Sequence, residues 1–522
     1  MNIIIRTDAA QQIGIGHVMR CLTLADELHK DGAQIRFVCK AHRGHLQQKI
    51  VERGYPVTLL NLEQGQEKED DPRGYSHWLG GDWCSDADST IGAIGAEKID
   101  WLIVDHYAID RSWHQRLREH ADKLMVIDDL ADRPMDCDLL LDQTYGRKAV
   151  EWRVHVPQSC SLLLGAKYAL LHPEFARLRA KAVERRNQNV NIMPQRLFIS
   201  MGGFDSLNVT GRVLDAVTQS VVALGLQQNF AIDIVVGSQI STLTEVRRQA
   251  EAVPFPVYLH VDSDRIPRLM LEADVAVGAA GATTWERCIL GLPSFVVELA
   301  DNQREILRRL TDAHAIVNMG RVNESVQTTW VAKISEVLAK PQLLHEISEN
   351  ALNICDGLGV RRVGLHFDPS YAADGRQIRL RMIEIEDAHI ILTWQKAEPT
   401  RRYAKNTQIP EWEEHVQWMQ CKLSDYHCFM RIIMHGNDPA GVLRLDYTDR
   451  FTVGPGYLVS IFIAPEKYRL GLARAALIIA QRLFADDVHI AQIHNNNIAS
   501  LALFKRSGYV CEARSGLYIW KP

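Results

Sequence analysis

The chain of 522 residues is defined first by what it does without. Its ten cysteines include no Cys-x-x-Cys pair, which argues against both a zinc ribbon and a disulfide framework. No apolar run reaches the roughly 18–20 residues that a membrane-spanning helix needs. Positive charge is not in excess: a net charge of −5 gives no general reason to expect nucleic-acid binding. The N-terminus enters a strand-like run at once and carries Arg6 and Asp8, unlike a secretory signal peptide. There is no short-period repeat and no low-complexity tract. What is left is an ordinary globular composition (47% hydrophobic, 24% charged) with length for about three domains. A reduced, cytoplasmic protein is the expectation, its cysteines mostly filling cores.

Against that plain background one stretch stands out, Ile13-Gly14-Ile-Gly16-His17. The apolar run at 2–6 reads as a buried parallel strand. After it Val18, Cys21, Leu22, Ala25 and Leu28 mark one face of a helix that stops near Gly32. A Gly-x-Gly turn feeding a helix leaves backbone amides free to approach a phosphate at Gly14 and Gly16. His17 follows directly, a side chain whose ordinary pKa lies near neutrality, so a phosphate cradle and a candidate general base are neighbours. Further strands at 34–39, 100–104 and 124–128 alternate with helical patterns, giving a parallel α/β domain. The acidic stretch 63–73 reads as a solvated surface loop. Strand 100–104 runs into Asp105-His106-Tyr107, where His106 competes with His17 as a base but alternates to the face opposite Tyr107. Asp128 and Asp129 read either as a carboxylate pair or as a strand-end turn.

A basic, polar stretch at 181–191 looks like a linker, and a second α/β domain then begins. Its strands are expected at 197–200, 231–236, 257–261, 273–277 and 294–298. Met201-Gly-Gly-Phe-Asp205 makes its first strand-to-helix turn. A richer motif follows: Gly278-Ala-Ala-Gly281-Ala-Thr-Thr-Trp-Glu286, then Gly291-Leu-Pro293 and Asp301-Asn-Gln303. Amides at Gly281, Ala282 and Thr283 could hold a diphosphate, and Glu286 is placed to accept hydrogen bonds from a ribose diol. The same residues also read as a small-residue turn whose helix-start carboxylate serves the helix dipole. Ligands of such sheets bind beyond the carboxyl ends of the strands, so two sets of strand ends could face one cleft. No Asp-x-Asp at a strand end offers metal geometry, and no metal is expected.

Residues 365–377 hold Pro, Gly, Asp and Ala without periodicity and read as a second linker. Beyond them tryptophan and tyrosine are richer, and strands at 378–383, 440–446 and 457–463 suggest an α+β domain. It contains Val459-Ser-Ile-Phe-Ile463-Ala-Pro465, then Tyr468-Arg-Leu-Gly471-Leu-Ala-Arg474 opening a helix. Near the end stand Asn495-Asn-Asn497 and then Phe504-Lys-Arg-Ser-Gly508-Tyr509.

The motifs Arg6-Thr-Asp8, Gly14-Ile-Gly-His17, Asp105-His-Tyr107, Asp128-Asp129, Tyr168-Ala-Leu170, Met201-Gly-Gly203, Gly281-Ala-Thr-Thr-Trp-Glu286 and Asn302-Gln303 stand in one order over residues 1–365. There the chain resembles the UDP-2,4-diacetamido-2,4,6-trideoxy-β-L-altropyranose hydrolases of pseudaminic acid biosynthesis, which are similar in fold to GT-B glycosyltransferases. The resemblance implies that water attacks the anomeric carbon of a UDP-sugar and UDP leaves. His17 would be the base, Tyr107 and Asn302 would help place water and sugar, and Glu286 would bind the ribose. A base of near-neutral pKa suits that water, and oriented amides suit the departing diphosphate.

Residues 376–522 resemble the GNAT acetyltransferases, especially those acting on the 4-amino group of nucleotide-linked amino sugars. The resemblance implies acetyl-CoA as cosubstrate. Backbone at Ile461 and Ile463 would meet the pantetheine, and the turn at Arg469, Gly471, Leu472 and Ala473 would cradle the pyrophosphate. Asn497 would contact the cofactor. Two departures stand out: Tyr468 replaces the usual Gln or Arg, and Phe504 replaces a tyrosine that protonates the departing thiolate, with Tyr457 a substitute on position alone.

The expected architecture is therefore two tandem Rossmann-like domains, 1–185 and 192–365, followed by a GNAT domain, 376–522. The expected activity is a bifunctional N-acetyltransferase and UDP-sugar hydrolase, with small-molecule substrates, no nucleic-acid partner and no membrane insertion. A GT-B glycosyltransferase with a sugar or lipid acceptor keeps the same fold. A non-enzymatic nucleotide-sugar-binding protein with an inert GNAT module is the third reading, and turnover separates it from the others.

Overall fold

Ile3, Ile4 and Ile5 are all buried, so β1 (Asn2–Thr7) has apolar neighbours on both faces, as an interior parallel strand must. It belongs to a computed structural model that describes residues 1–62, 75–203, 205, 207–238, 240–404 and 406–522. The expected acidic loop at 63–73 and Phe204 lie outside the described residues. The chain forms two compact units, Met1–Val363 and Gly364–Pro522.

In the first unit β1 is joined by β2 (Gln34–Lys40), β3 (Val57–Leu60), β4 (Ile99–Asp105), β5 (Ala121–Ile127), β6 (Leu139–Asp142) and β7 (Ser161–Leu164). All run parallel in the order β3-β2-β1-β4-β5-β6-β7. The order reverses between β1 and β4, the place where such a sheet opens a crevice. The helix Gly16–Lys30 buries Val18, Cys21, Leu22, Ala25 and Leu28, the face its spacing predicts.

A second parallel sheet follows: β8 (Arg196–Ser200), β9 (Ala231–Val236), β10 (Val257–Val261), β11 (Val275–Ala279), β12 (Ser294–Glu298) and β13 (Val317–Arg321). Its order, β10-β9-β8-β11-β12-β13, reverses between β8 and β11. β11 starts later than the expected 273–277, because Ala273 ends a helix and Asp274 is held by the amides of Gln195 and Arg196 at 2.9 and 3.0 Å.

The stretch 181–191 is mostly helix rather than linker. The helix Pro173–Gln188 runs through it, and buried Arg186 donates to Ala273 O at 2.6 Å and Met270 O at 3.3 Å. Its basic residues thus fasten the connection to the second lobe. The chain later returns to the first lobe through the helix Gly359–Gly364. A side chain at Gly359 would start 2.2 Å from Ala169 O, so only glycine permits that approach.

The second unit is built on β14 (Ser370–Tyr371), β15 (Gln377–Met382), β16 (Cys428–His435), β17 (Asp438–Thr448), β18 (Gly456–Ile463), β19 (His489–Ala491), β20 (Val510–Cys511) and β21 (Tyr518–Trp520). The sheet order is β14-β15-β16-β17-β18-β19-β21-β20, antiparallel except for the β18–β19 pair. Residues 365–377 are folded rather than a free linker. Ser370 and Tyr371 pair with Ile378 and Gln377, and Ala373 donates its amide to Leu470 O at 3.0 Å. The polar composition that suggested a linker belongs to the hairpin turn around Gly375.

Candidate functional site

At the β1–β4 switch point the loop after β1 makes a tight return, with Gly14 N donating to Ala10 O at 2.8 Å. Gly14 holds φ +84°, a conformation that costs an L-residue about 1–2 kcal/mol. The helix then starts at Gly16 without a side-chain cap, leaving its first-turn amides open to an anion. His17, one residue in, is almost buried. Its Nδ1 lies 2.6 Å from Asp105 Oδ1 at the end of β4. Arg20 grips the same carboxylate with Nε and Nη2, each at 2.6 Å. Burial favours the protonated acid, but Arg20 and His17 outweigh it and hold the Asp105 carboxyl well below the usual carboxylate range.

Tyr107 meets the edge of the His17 ring at 4.7 Å, and Trp78 stands on another side at 6.1 Å. The Tyr107 hydroxyl donates to Asp129 Oδ1 at 2.5 Å, and burial, with Asp129 beside it, pushes its pKa well up. The aspartate pair is split between two jobs. Asp128 accepts from Arg133 at 2.5 Å and from the Leu130 amide at 2.8 Å, a turn-forming role, while Asp129 faces Tyr107. His106 turns away, with Nε2 at 3.3 Å from Asp8 and Nδ1 accepting the Ala108 amide.

The second lobe meets this loop directly. Ile15 packs so closely on Gly203 that a Cβ there would lie 3.0 Å from Ile15 Cδ1. Strand-end loops of both lobes therefore border one cleft. Beyond β11, Gly281 and Ala282 lead into the helix Thr283–Ile289, and partly buried Glu286 is pushed up to about 7 by lost hydration. Behind it Arg287 is buried, donating to Ala279 O at 2.9 Å and to the Thr283 and Thr284 hydroxyls at 3.2 Å. Its Nε has no partner among the described residues, and burial lowers its pKa to about 10. Asn302 lies on the turn Asp301–Gln303, leading into the helix Arg304–Asp312. From that helix Arg309 reaches Glu151 of the first lobe at 2.7 Å.

His17 and Tyr107 are thus brought into contact, with Glu286 and Asn302 on the other lobe. Sequence reasoning gave Asp105 and Arg20 no role at the site, and left Asp129 between a carboxylate pair and a strand-end turn. Arg20 carried a signal, since i and i+3 share a helix face. Asp105 is distant in sequence, and only the switch-point topology joins it to His17. Among the described residues no group of three or more His, Cys, Asp or Glu is arranged to hold a metal, and no helix is long and apolar enough to cross a membrane.

In the second unit β18 pairs with β19 only at Tyr457–His489 and Leu458–Ile490. Past that point the strands part, so at Ile461 and Ile463, paired with β17 on one side, no strand among the described residues lies on the other. At its end Arg469 (φ +68°) and Gly471 (φ +78°) are both left-handed, and Leu472–Leu483 begins without a side-chain cap. An open strand edge leading to uncapped amides fits an extended, phosphate-bearing cosubstrate. Asn497, expected at the cofactor, caps the helix Ile498–Arg506 by accepting the Ser500 amide at 3.1 Å. Phe504 is buried against Tyr509, and Tyr457 packs between Tyr447 and Phe484. A cluster the motifs did not show lies on β17: Asp446 takes Lys422 and Arg444, each at 2.8 Å, and Arg444 sits 5.3 Å over Trp418.

Comparison with known proteins agrees with this division. Residues 391–509 match the Acetyltransferase (GNAT) family. An uncharacterized protein of Methanocaldococcus jannaschii is 23% identical over 98% of this chain and 96% of its own length. The UDP-2,4-diacetamido-2,4,6-trideoxy-beta-L-altropyranose hydrolase of Campylobacter jejuni is 27% identical over 56% of this chain and 89% of its own. The crystal structure of MurG from Acinetobacter baumannii superposes with a TM-score of 0.50 at 14% identity, covering 70% of this chain and 98% of that one. The chain therefore joins an N-terminal part, homologous to that hydrolase and folded as two Rossmann-like domains of GT-B type, to a C-terminal GNAT domain.

Proposed function

We propose that this chain is a bifunctional enzyme acting on a UDP-linked amino sugar. The GNAT domain transfers the acetyl group of acetyl-CoA to the 4-amino group of the sugar. The two-lobed unit then hydrolyses the product, UDP-2,4-diacetamido-2,4,6-trideoxy-β-L-altropyranose, to UDP and free sugar. The observation that carries the hydrolytic half is His17, seated on Asp105 and edged by Tyr107 at the β1–β4 switch point. Homology to the Campylobacter hydrolase supports the substrate.

In this reading the amides around Gly14, Gly16, Gly281, Ala282 and Thr283 receive the diphosphate. Buried Arg287 adds a positive charge behind the second group. Glu286 accepts the ribose hydroxyls, and Tyr107 and Asn302 help hold water and sugar. His17 takes the proton of the attacking water as its oxygen bonds to the anomeric carbon. The bond to the diphosphate oxygen breaks, and UDP leaves with the electron pair. In the second unit the open edge at Ile461 and Ile463, the turn at Arg469, Gly471, Leu472 and Ala473, and Asn497 hold the CoA moiety.

The test is UDP release from the UDP-4-amino sugar with and without acetyl-CoA. Release only when both are present is the expected result. His17→Asn should lose UDP release by about 100-fold or more while acetylation continues. Hydrolysis that persists in that variant would remove His17 as the base, and transfer of the sugar to an added acceptor would favour a glycosyltransferase.

A further inference from the structure

Asp105 belongs to none of the roles assigned above, yet it is the most heavily hydrogen-bonded group near His17. It is fully buried and takes four donors: Arg20 Nε at 2.6 Å and Cys21 Sγ at 3.4 Å on Oδ2, Arg20 Nη2 at 2.6 Å and His17 Nδ1 at 2.6 Å on Oδ1. A carboxylate so surrounded can only accept. A lone pair on His17 Nδ1 would face the Oδ1 lone pairs at 2.6 Å, so the contact holds only with a proton on Nδ1.

We propose that Asp105, clamped by Arg20, is a positioning residue that fixes the tautomer of His17 and makes Nε2 the sole basic nitrogen offered to the cleft. The inference rests on the hydrolytic reading above. Nε2 has no hydrogen bond to any described residue, whereas Nδ1 is committed to Asp105 Oδ1, and Arg20 Nη2, though 3.2 Å from Nδ1, gives its proton to the same oxygen at 2.6 Å. When Nε2 takes the proton of the attacking water, the imidazolium formed lies against an anion already in place. Asp105 stays ionised throughout, because Arg20 holds its charge and no donor must move. Besides the uncharged Trp78, the groups facing the His17 ring are Asp105 from β4, Arg20 from its own helix, and Tyr107 after β4 with Asp129 behind it.

The clamp makes a signed prediction that a merely structural contact would not. Asp105→Asn removes the anion, so the imidazolium is less favoured. The acid limb of the kcat profile for UDP release should move to lower pH by about one unit, with kcat down about 100-fold and KM nearly constant. Arg20→Gln removes the opposing cation, so the acid limb should move the other way, to higher pH, with a smaller loss of kcat. Opposite displacements support the clamp. Equal profiles in all three proteins, or both variants moving together, overturn it.

A second measurement does not depend on turnover. Nitrogen-15 NMR of histidine-labelled protein, with His17→Asn to assign the signal, should give the Nδ1–H tautomer for neutral His17. Finding Nε2–H overturns the proposal. If the unaltered protein releases no UDP while the NMR reads Nδ1–H, the hydrolytic reading fails and the clamp survives.

Discussion

In the proposed function one carboxyl, Glu286, ties UDP-sugar binding to solution pH. Lost hydration pushes its pKa up to about 7. The carboxylate accepts both hydroxyl protons of a ribose diol, whereas the acid accepts less and carries a proton of its own. Binding through Glu286 should therefore be strongest above pH 7 and weaken as pH falls through it. KM for the UDP-sugar should rise several-fold from about pH 8 to about pH 6, and Glu286→Gln should bind weakly with no such dependence. A steady-state pH series on the two proteins checks this, and an unchanged slope in the variant would disprove it. At the same scale, Gly14→Ala forces an alanine to φ +84° where the space around it is otherwise open. It should cost about 1 kcal/mol of stability by thermal melting through backbone strain alone. Residues like these were legible because their signal is local: a glycine before a histidine, a carboxylate one turn into a helix. Asp105 was not, because nothing near it in the chain says which histidine it will meet.

Elements carry a different lesson. Strands with continuous apolar runs and clear flanking turns, such as β1, β2, β9 and β12, stand where the sequence puts them. β3, β6, β7 and β13 went unread, because elements of four or five residues with only two or three apolar ones do not separate strand from helix by period alone. The stretch 365–377 misled for the opposite reason, its turn residues hiding a paired strand. That correction has a consequence for the loop at Gly471. The amide of Ala373 bonds to Leu470 O, and Asp374 lies 2.9 Å from His435. A fragment of residues 364–522 should fold and bind CoA by isothermal calorimetry. One beginning at 376 loses both contacts and should melt several degrees lower with weaker CoA binding. Equal melting and equal affinity would show that the hairpin is dispensable. Between the lobes, Arg309 and Glu151 form a partly buried pair, 12% and 30% exposed. Glu151→Gln should raise KM more than it lowers kcat, since it loosens the helix that follows Asn302 without touching His17.

The whole molecule carries buried histidines in both units. His114 in the first is pushed down to about 3, and His489 in the second to about 4, in each case by burial. Unfolded histidine takes up its proton near 6.5 and these do not, so the unfolded chain binds more protons in between. Stability is then full above about pH 6.5 and falls as pH is lowered toward 4, by up to about 3 kcal/mol for His489. Melting of the separate second unit at neutral pH and near pH 5 measures this. His489→Phe, which keeps an aromatic ring, should make the fall shallower and leave the share of His366, also pushed down to about 4 by burial, and an equally steep fall in that variant would refute the assignment.

The return of the chain at Gly359 reorders the first unit. Its second lobe is an insertion, entered through Pro173–Gln188 and left just before Gly359, while the first lobe is assembled from two distant pieces of sequence. Neither lobe can be excised by a single cut without leaving the other open. The two crossings lie side by side, Arg179 of the first donating to Leu352 O at 2.8 Å and Cys355 O at 3.0 Å just before the second. The second crossing is thereby fixed in sequence as well as in space, since a side chain at Gly359 would start 2.2 Å from Ala169 O of the first lobe.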